Sequence, residues 1–210
     1  MKIYRLIYTR AGRIFVNGVW KDNPIFCMIL GICSTLAVTN RVENALAMGA
    51  GVTFVLLATS LLISSLRKII PARIRMITYM LVISTFVICV DRFLKAYFPR
   101  ISEQLGPYVG LIITNCILMG RAEAFAIKNP LGYSLLDAFS CGLGYSYTLL
   151  ILSVIREILA FGTILGRRVM PGTWTNWVIM AMPAGGFVLL ALYLWIMRNL
   201  AKLEPEKGGI

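Results

Sequence analysis

Two cysteines stand at matching places in the chain. Cys33 lies in "GICSTLAVT" and Cys116, 83 residues later, lies in "IITNCILMG", each beside hydroxyl or amide side chains. A cysteine inside an apolar segment is most often a small, polarizable core residue, and this is our interpretation of Cys27, Cys89 and Cys141. Because Cys33 and Cys116 occupy equivalent positions, we predict that they are thiolate ligands for iron.

The absence of histidine limits the kinds of metal and catalytic site that this chain can form. The sequence has no histidine, which excludes His-ligated haem, His-containing zinc sites and Ser-His or Cys-His catalysis within this chain. An iron-sulfur cluster of the [2Fe-2S] or [4Fe-4S] type needs four thiolates, whereas this pair supplies two. A partner chain must bring the others, and the simplest partner is a homologous subunit.

A weak internal repeat surrounds the two cysteines. Cys33 is followed by Arg41 and Glu43, and Cys116 is followed by Arg121 and Glu123, so each half has a short segment, a cysteine and then Arg-x-Glu. We expect these charged residues to form ion pairs or caps that fix the backbone presenting the cysteines and tune the cluster.

The elements that must hold these residues are membrane segments. Of the 210 residues, 59% are hydrophobic and 14% are charged, which is too apolar for a soluble domain. Four of six apolar segments reach the ~20 residues needed to cross the hydrocarbon core, whereas the first and fourth are too short and look broken. The six segments are 24–39, 44–66, 76–98, 107–120, 132–160 and 176–197.

The predicted fold is all-α, a polytopic integral membrane protein with six transmembrane segments. Three passages per half give the two halves opposite orientation, which is an inverted repeat with its site near the membrane centre. Interrupted backbone is tolerated in a membrane only where protein buries it or where it lines a site. The predicted parts are a basic interfacial N-terminal segment (1–23), the repeats 24–100 and 101–197, and a cytoplasmic tail (198–210).

Charge gives the orientation of the chain. The net charge is +12, but the 21 Lys and Arg lie between apolar segments without base-stacking motifs, so we expect contact with membrane lipid and not with nucleic acid. Most of them fall in the loops that share a side with the termini, which predicts that both termini are cytoplasmic.

Two acidic residues inside apolar segments are candidates for an ion path. Carboxylates within membrane segments are rare and often functional. Asp137, near the start of the fifth segment, is expected near the cytoplasmic surface, where it would help a cation to enter. The simpler alternatives are a helix-start acid for Asp137 and an ion pair with Arg92 or Lys95 for Asp91.

Several runs of residues resemble one known family. "LGICSTLAVT", "VGLIITNCILMGRAEAFA", "GLGY" and "REILAFGTILG" resemble the D subunits of the sodium-translocating NADH:quinone oxidoreductase, Nqr, and the homologous E subunits of the Rnf ferredoxin:NAD oxidoreductase. The similarity is strong over residues 24–166. The "GRAEA" run favours these subunits over the sister E subunits of Nqr, and "GICSTLAVT" favours Nqr over Rnf.

The resemblance implies a membrane subunit of a redox-driven sodium pump, a translocase in the bacterial cell inner membrane with no independent catalytic site. It implies a [2Fe-2S] cluster shared with the homologous sister E subunit, to which Cys33 and Cys116 contribute two ligands. Electrons would pass through it from cytoplasmic to outer cofactors, while flavins, NADH and ubiquinone bind to other subunits of the complex. An Rnf subunit and an inverted-repeat small-solute carrier are the alternatives.

Overall fold

The described part of the chain is almost entirely helical. The computed structural model describes residues 12, 14–15, 18–19, 23–25, 27–97, 106, 108–164, 167–168 and 177–201. Most of the predicted interfacial segment 1–23, and most of the tail 198–210, therefore lie outside the described residues. The helices are α1 (Ile32–Val38), α2 (Val42–Leu66), α3 (Arg75–Tyr97), α4 (Cys116–Arg121), α5 (Leu131–Phe161), α6 (Val178–Ala181) and α7 (Pro183–Ala201).

Shorter elements connect these helices. A 3₁₀ turn at Ala72–Ile74 precedes α3, and a π-helical turn at Ala122–Ala126 follows α4. The strands β1 (Thr163–Ile164) and β2 (Arg167–Arg168) form a two-residue antiparallel pair after α5. This pair is the only strand structure in the part of the chain described, so the predicted helical fold class is confirmed at that level.

The three longest helices follow the predicted apolar segments closely. Segments 44–66, 76–98 and 132–160 become α2, α3 and α5, with ends within two residues of the prediction. At about 1.5 Å per residue, α2 with its 25 residues is about 37 Å long, which exceeds the ~30 Å hydrocarbon core. Pro130 precedes α5, and Gly162 ends it in the left-handed conformation with φ of 66°.

The fourth segment differs from its prediction. It is interrupted as expected, at Thr114 and Asn115, but the helix continues past Gly120 through α4 and the π-helical turn. The whole stretch Tyr108–Ala126 has 19 residues and is one of four described helices that are long and apolar enough to cross a membrane. The expectation that this segment is too short was wrong. The charges of "GRAEA" suggested a loop, whereas these residues lie in a helix that continues.

The first and last segments are each divided. Among the described residues of the first segment, the seven of α1 are the helical ones, and this helix is far shorter than a membrane crossing. The last is divided into α6 and α7 at Met182, whose extended backbone precedes Pro183. A layout of six complete crossings therefore stays a prediction.

Helices α2 and α5 make the most extensive helix–helix contact and form the centre of the fold. A Cβ atom added at Gly49 would lie 2.8 Å from Ser146 Oγ, and one added at Gly142 would lie 2.7 Å from Thr53 Cγ2. The Thr53 and Ser146 hydroxyls are 3.4 Å apart between these contacts. Gly49 and Gly142 thus allow the two helices to pack closely.

The outer surface is rich in large apolar side chains. Ile77 is 71% exposed, and Leu81 and Trp195 are also exposed. Such a surface is unfavourable in water but suits hydrocarbon. Together with the four apolar helices, it identifies an integral membrane protein.

Candidate functional site

Cys33 and Cys116 both lie in the first turn of a short helix. Cys33 is the second residue of α1, and Cys116 is the first residue of α4. Both are free cysteines in exposed residues, although the residues beside them, Ser34 and Asn115, are completely buried. The thiols therefore lie at the surface of the chain, next to a buried polar link.

Ser34 is at the centre of that link. Its hydroxyl is 3.0 Å from the carbonyl oxygen of Gly31, 2.8 Å from the hydroxyl of Tyr145 and 3.3 Å from Nδ2 of Asn115. A serine hydroxyl has one proton to donate and two lone pairs that accept. Ser34 therefore donates to Gly31, accepts from Asn115 and shares a third hydrogen bond with the hydroxyl of Tyr145.

Asn115 connects this link to the helix that carries Cys116. Its Oδ1 accepts a hydrogen bond of 3.1 Å from the backbone N–H of Ile117, which makes Asn115 the N-cap of α4. The backbone of Gly31 has φ of 78°, and a Cβ atom there would lie 2.5 Å from Ile117 Cδ1. Glycine thus permits both the left-handed conformation before α1 and its close approach to α4.

These contacts bring together the two sequence regions that were predicted to be equivalent. The residue after Cys33 is hydrogen-bonded to the residue before Cys116, across 81 positions of sequence. Among the residues that the structure describes, no group of three or more Cys, Asp or Glu could hold a metal ion. Two exposed thiols on one fixed support could furnish half of a four-thiolate ligand set.

Arg121 and Asp137 form a buried ion pair between α4 and α5. Arg121 Nε donates to Asp137 Oδ2 at 3.0 Å, and a second guanidinium nitrogen binds Oδ1, so the pair is bidentate. Arg121 also lies 3.8 Å from the sulfur of Met28 and over the ring of Phe125. Asp137 is thus neither at a solvated helix start nor in the first turn of α5.

The other charged residues near the breaks have different surroundings. Glu123 binds Arg75 at 3.3 Å and accepts a 2.7 Å hydrogen bond from the hydroxyl of Tyr79, which ties the π-helical turn to α3. Arg41 is exposed at the N-cap position of α2 without a side-chain cap. Glu43 is exposed and lines an apolar groove of about 810 Å³ between α2 and α3.

Asp91 forms an exposed pair with Lys95, at 2.7 Å, one turn further along α3. This is the simpler of the two interpretations considered for Asp91. Exposed pairs of this spacing contribute little to stability.

The end of α5 fixes the first break. Arg156 is buried, with 2% of its surface exposed. Its Nη1 donates to the carbonyl oxygen of Leu36 at 3.0 Å and to Thr39 Oγ1 at 2.6 Å, both at the end of α1. Its other nitrogens bind the carbonyl oxygens of Met180 and Met182. The neighbouring Glu157 accepts a 2.8 Å bond from the backbone N–H of Val42 and so caps α2.

Sequence reasoning missed Tyr145 and Arg156 as parts of this site. Tyr145 belongs to "GLGY", and Arg156 begins "REILAFGTILG", so both lie in runs that carry the family resemblance. An arginine inside a 31-residue apolar helix was the available signal, because a buried charge in a membrane segment needs specific partners.

The chain is similar to known proteins along most of its length. Residues 11–194 match the family described as "Rnf-Nqr subunit, membrane protein". A protein of Tolumonas auensis, named as the D subunit of Na(+)-translocating NADH-quinone reductase, is 42% identical over 210 residues, which cover 96% of this chain and 97% of the relative. Proteins with the same name are 42% identical in Pseudoalteromonas atlantica, over 93% of this chain and 96% of the relative, and 45% identical in Chlamydia abortus, over 92% and 95%.

These matches extend over nearly the whole chain, including both breaks, both cysteines and the long helices that support them. The chain therefore belongs to the Rnf-Nqr family of membrane subunits.

Proposed function

We propose that the chain is a membrane subunit of a sodium-translocating NADH:quinone reductase and acts as a redox relay within that complex. The relatives cited above carry this name, with 42–45% identity over most of both chains. The family description includes Rnf subunits too, but the names of the relatives favour the Nqr complex. On this proposal NADH, flavins and ubiquinone bind to other subunits.

The relay proposal rests on one observation above all: two exposed cysteines are held by one buried hydrogen-bonded link between α1 and α4. They would supply two of the four thiolates of a [2Fe-2S] cluster. The sister E subunit would supply the other two, so the cluster would form at the interface between the chains. The exposure of both thiols supports this, because ligands of a cluster enclosed within one chain would be buried.

A central position for this site is supported by the crossing of α2 and α5. Gly49 contacts Ser146, Gly142 contacts Thr53, and the two hydroxyls meet between them. Such reciprocal contacts are the mark of a twofold relation. Because the helices are antiparallel, with Val42 bonded to Glu157 at one end and Ser64 to Asn129 at the other, the twofold axis would lie in the membrane plane.

We therefore infer an inverted repeat of residues 24–100 and 101–197, in the bacterial inner membrane, with both termini in the cytoplasm. Its symmetry would place Cys33 and Cys116 near the bilayer centre, where a cluster shortens the path of an electron from one face to the other. Asp137 and Asp91 stay candidates for the ion path. Passage of sodium at Asp137 would require the ion to displace Arg121 from both carboxylate oxygens.

The test is EPR spectroscopy and iron quantification on the purified complex. Cys33→Ala and Cys116→Ala should each abolish the signal of the reduced [2Fe-2S] cluster. The control Cys89→Ala should keep it, because Cys89 lies on α3 and is exposed, not in the core as predicted. Persistence of the full signal in either variant would refute the ligand assignment. Solute transport by the isolated chain, unaffected by both substitutions, would instead support a carrier.

A further inference from the structure

The hydroxyl of Tyr145 is placed to act on the cysteines without touching a ligand itself. Tyr145 lies in the middle of α5 and is completely buried, and its hydroxyl shares a 2.8 Å hydrogen bond with Ser34, which is the next residue after Cys33. Through Ser34 the bond reaches Asn115, the residue before Cys116. The phenol group of Tyr145 thus connects α5 to both α1 and α4.

Packing alone does not account for this hydroxyl. A phenylalanine ring would fill the same volume, and burying an O–H group is unfavourable unless a partner accepts its proton. Here the partner is Ser34, which also donates to Gly31 and accepts from Asn115. Removing the phenol therefore leaves one site on Ser34 empty, in surroundings where hydrogen bonds are strong and reinforce one another.

We infer that Tyr145 is a positioning residue for the redox site, holding α1 and α4 at the separation the two thiolates require and contributing to the redox potential of the group they bind. This inference rests on the proposed function. Hydrogen bonds and local polarity around the sulfur ligands are among the determinants of cluster potential. Hydrogen-bonding groups beside the thiolates stabilise the additional negative charge of the reduced state, so loss of this hydroxyl lowers the potential.

The experiment is a redox titration, followed by EPR, of the complete complex containing Tyr145→Phe. The cluster should be retained, with its ratio of reduced to oxidised form about threefold lower at a fixed ambient potential, which is ~28 mV for a one-electron couple. Tyr147→Phe is the matched control, because Tyr147 lies two residues further along the same helix and is exposed. It should leave the potential unchanged.

A double variant tests the route of the effect. Tyr145→Phe and Ser34→Ala remove opposite ends of the same bond, so their combination should shift the potential no further than the larger single change. Ser34→Ala also carries the test by itself if Tyr145→Phe fails to assemble.

Two results separate the failure of this inference from that of the proposed function. If the wild-type complex has no EPR signal that depends on Cys33, the proposed function fails. If that signal exists but Tyr145→Phe titrates like the wild type, or if Tyr147→Phe shifts it equally, the positioning role is refuted and the ligand assignment stands.

Discussion

Arg121 shows how one side chain replaces an expected local interaction with a distant one. The Arg-x-Glu motif suggested a pair or a cap close to the break, whereas the guanidinium binds Asp137 sixteen residues away, on another helix. Glu123 binds Arg75 instead. The two charges of the motif therefore connect the continuing helix to two different neighbours, α5 and α3.

We expect Arg121→Ala to destabilise the chain strongly, because it leaves the carboxylate of Asp137 buried and uncompensated. The cost should be about 3–5 kcal/mol. The measurement is the midpoint temperature of precipitation of the detergent-solubilised chain, followed by immunoblot, which should fall by on the order of 10 °C.

Two further variants test whether the loss in Arg121→Ala comes from leaving a buried charge unpaired. Arg121→Met combined with Asp137→Leu should be markedly more stable than Arg121→Ala, because no charge is then left unpaired. Lys95→Ala, which removes the partner of Asp91 from an exposed pair, should change the midpoint little. Equal losses in Arg121→Ala and Lys95→Ala would contradict the importance of burial.

At the scale of the elements, the close crossing of α2 and α5 decides where the other helices are held. Glycines remove side-chain volume at the two closest contacts, which lets hydroxyl groups and backbone approach. Near each end of this crossing, one long helix bonds to the start of the other: Glu157 of α5 accepts from Val42, and Ser64 of α2 donates to Asn129, just before α5. The first broken segment is also held from the opposite half, because Arg156 of α5 donates to Leu36.

Gly142→Ala should destabilise this crossing, because the new Cβ atom would lie 2.7 Å from Thr53 Cγ2. Overpacking of this kind costs about 1–3 kcal/mol. Thr53→Ala in the same chain should restore much of the loss, since the nearest contact then becomes 3.0 Å. The thermal midpoint of the solubilised chain checks both.

The symmetric substitution is an independent test of the reciprocal contact. Gly49→Ala should be destabilising and rescued by Ser146→Ala, which removes the oxygen that lies 2.8 Å from the new atom. Gly110→Ala is the control, because nothing lies within 4 Å of its added Cβ. A loss at Gly110 as large as at Gly142 would show that the crossing is not the cause.

The sequence predicted α2, α3 and α5 well because each is an unbroken apolar run with clear punctuation at its ends, such as Pro130 and Gly162. It did not predict the continuation past Gly120, since a charged motif reads as a loop until its partners are known. The positions of Cys33 and Cys116 were visible as a repeat. The residues that connect them were not, because Ser34 and Tyr145 are 111 positions apart and no local pattern signals their bond.

For the whole molecule, the antiparallel halves have a consequence for sidedness. If six segments cross the membrane, the ends of α2 lie on opposite faces, and the loops near residues 68 and 128 share one of them. The bond between Ser64 and the carbonyl oxygen of Asn129 supports this, because it joins the last turn of α2 to the loop near residue 128. The charge distribution predicts that this shared face is the cytoplasmic one.

Single-cysteine labelling in oriented membranes tests the arrangement. On a background without the five native cysteines, Lys68→Cys and Lys128→Cys should react with an impermeant maleimide only when the cytoplasmic face is open. Arg41→Cys, at the start of α2, should react from the outside. Labelling of positions 41 and 68 from the same face would rule out the inverted repeat.

The seven residues of α1 depend on partners that are made much later. Ser34 can bond to Asn115 and Tyr145 only after both are translated. The end of α1 likewise needs Arg156, which is translated 120 residues after Leu36. During synthesis, the first half therefore enters the membrane with backbone and hydroxyl groups that only the second half can satisfy. The first half of the chain consequently cannot reach its final structure before the second half is made. The α1 segment, although translated early, is among the last to be fully hydrogen-bonded.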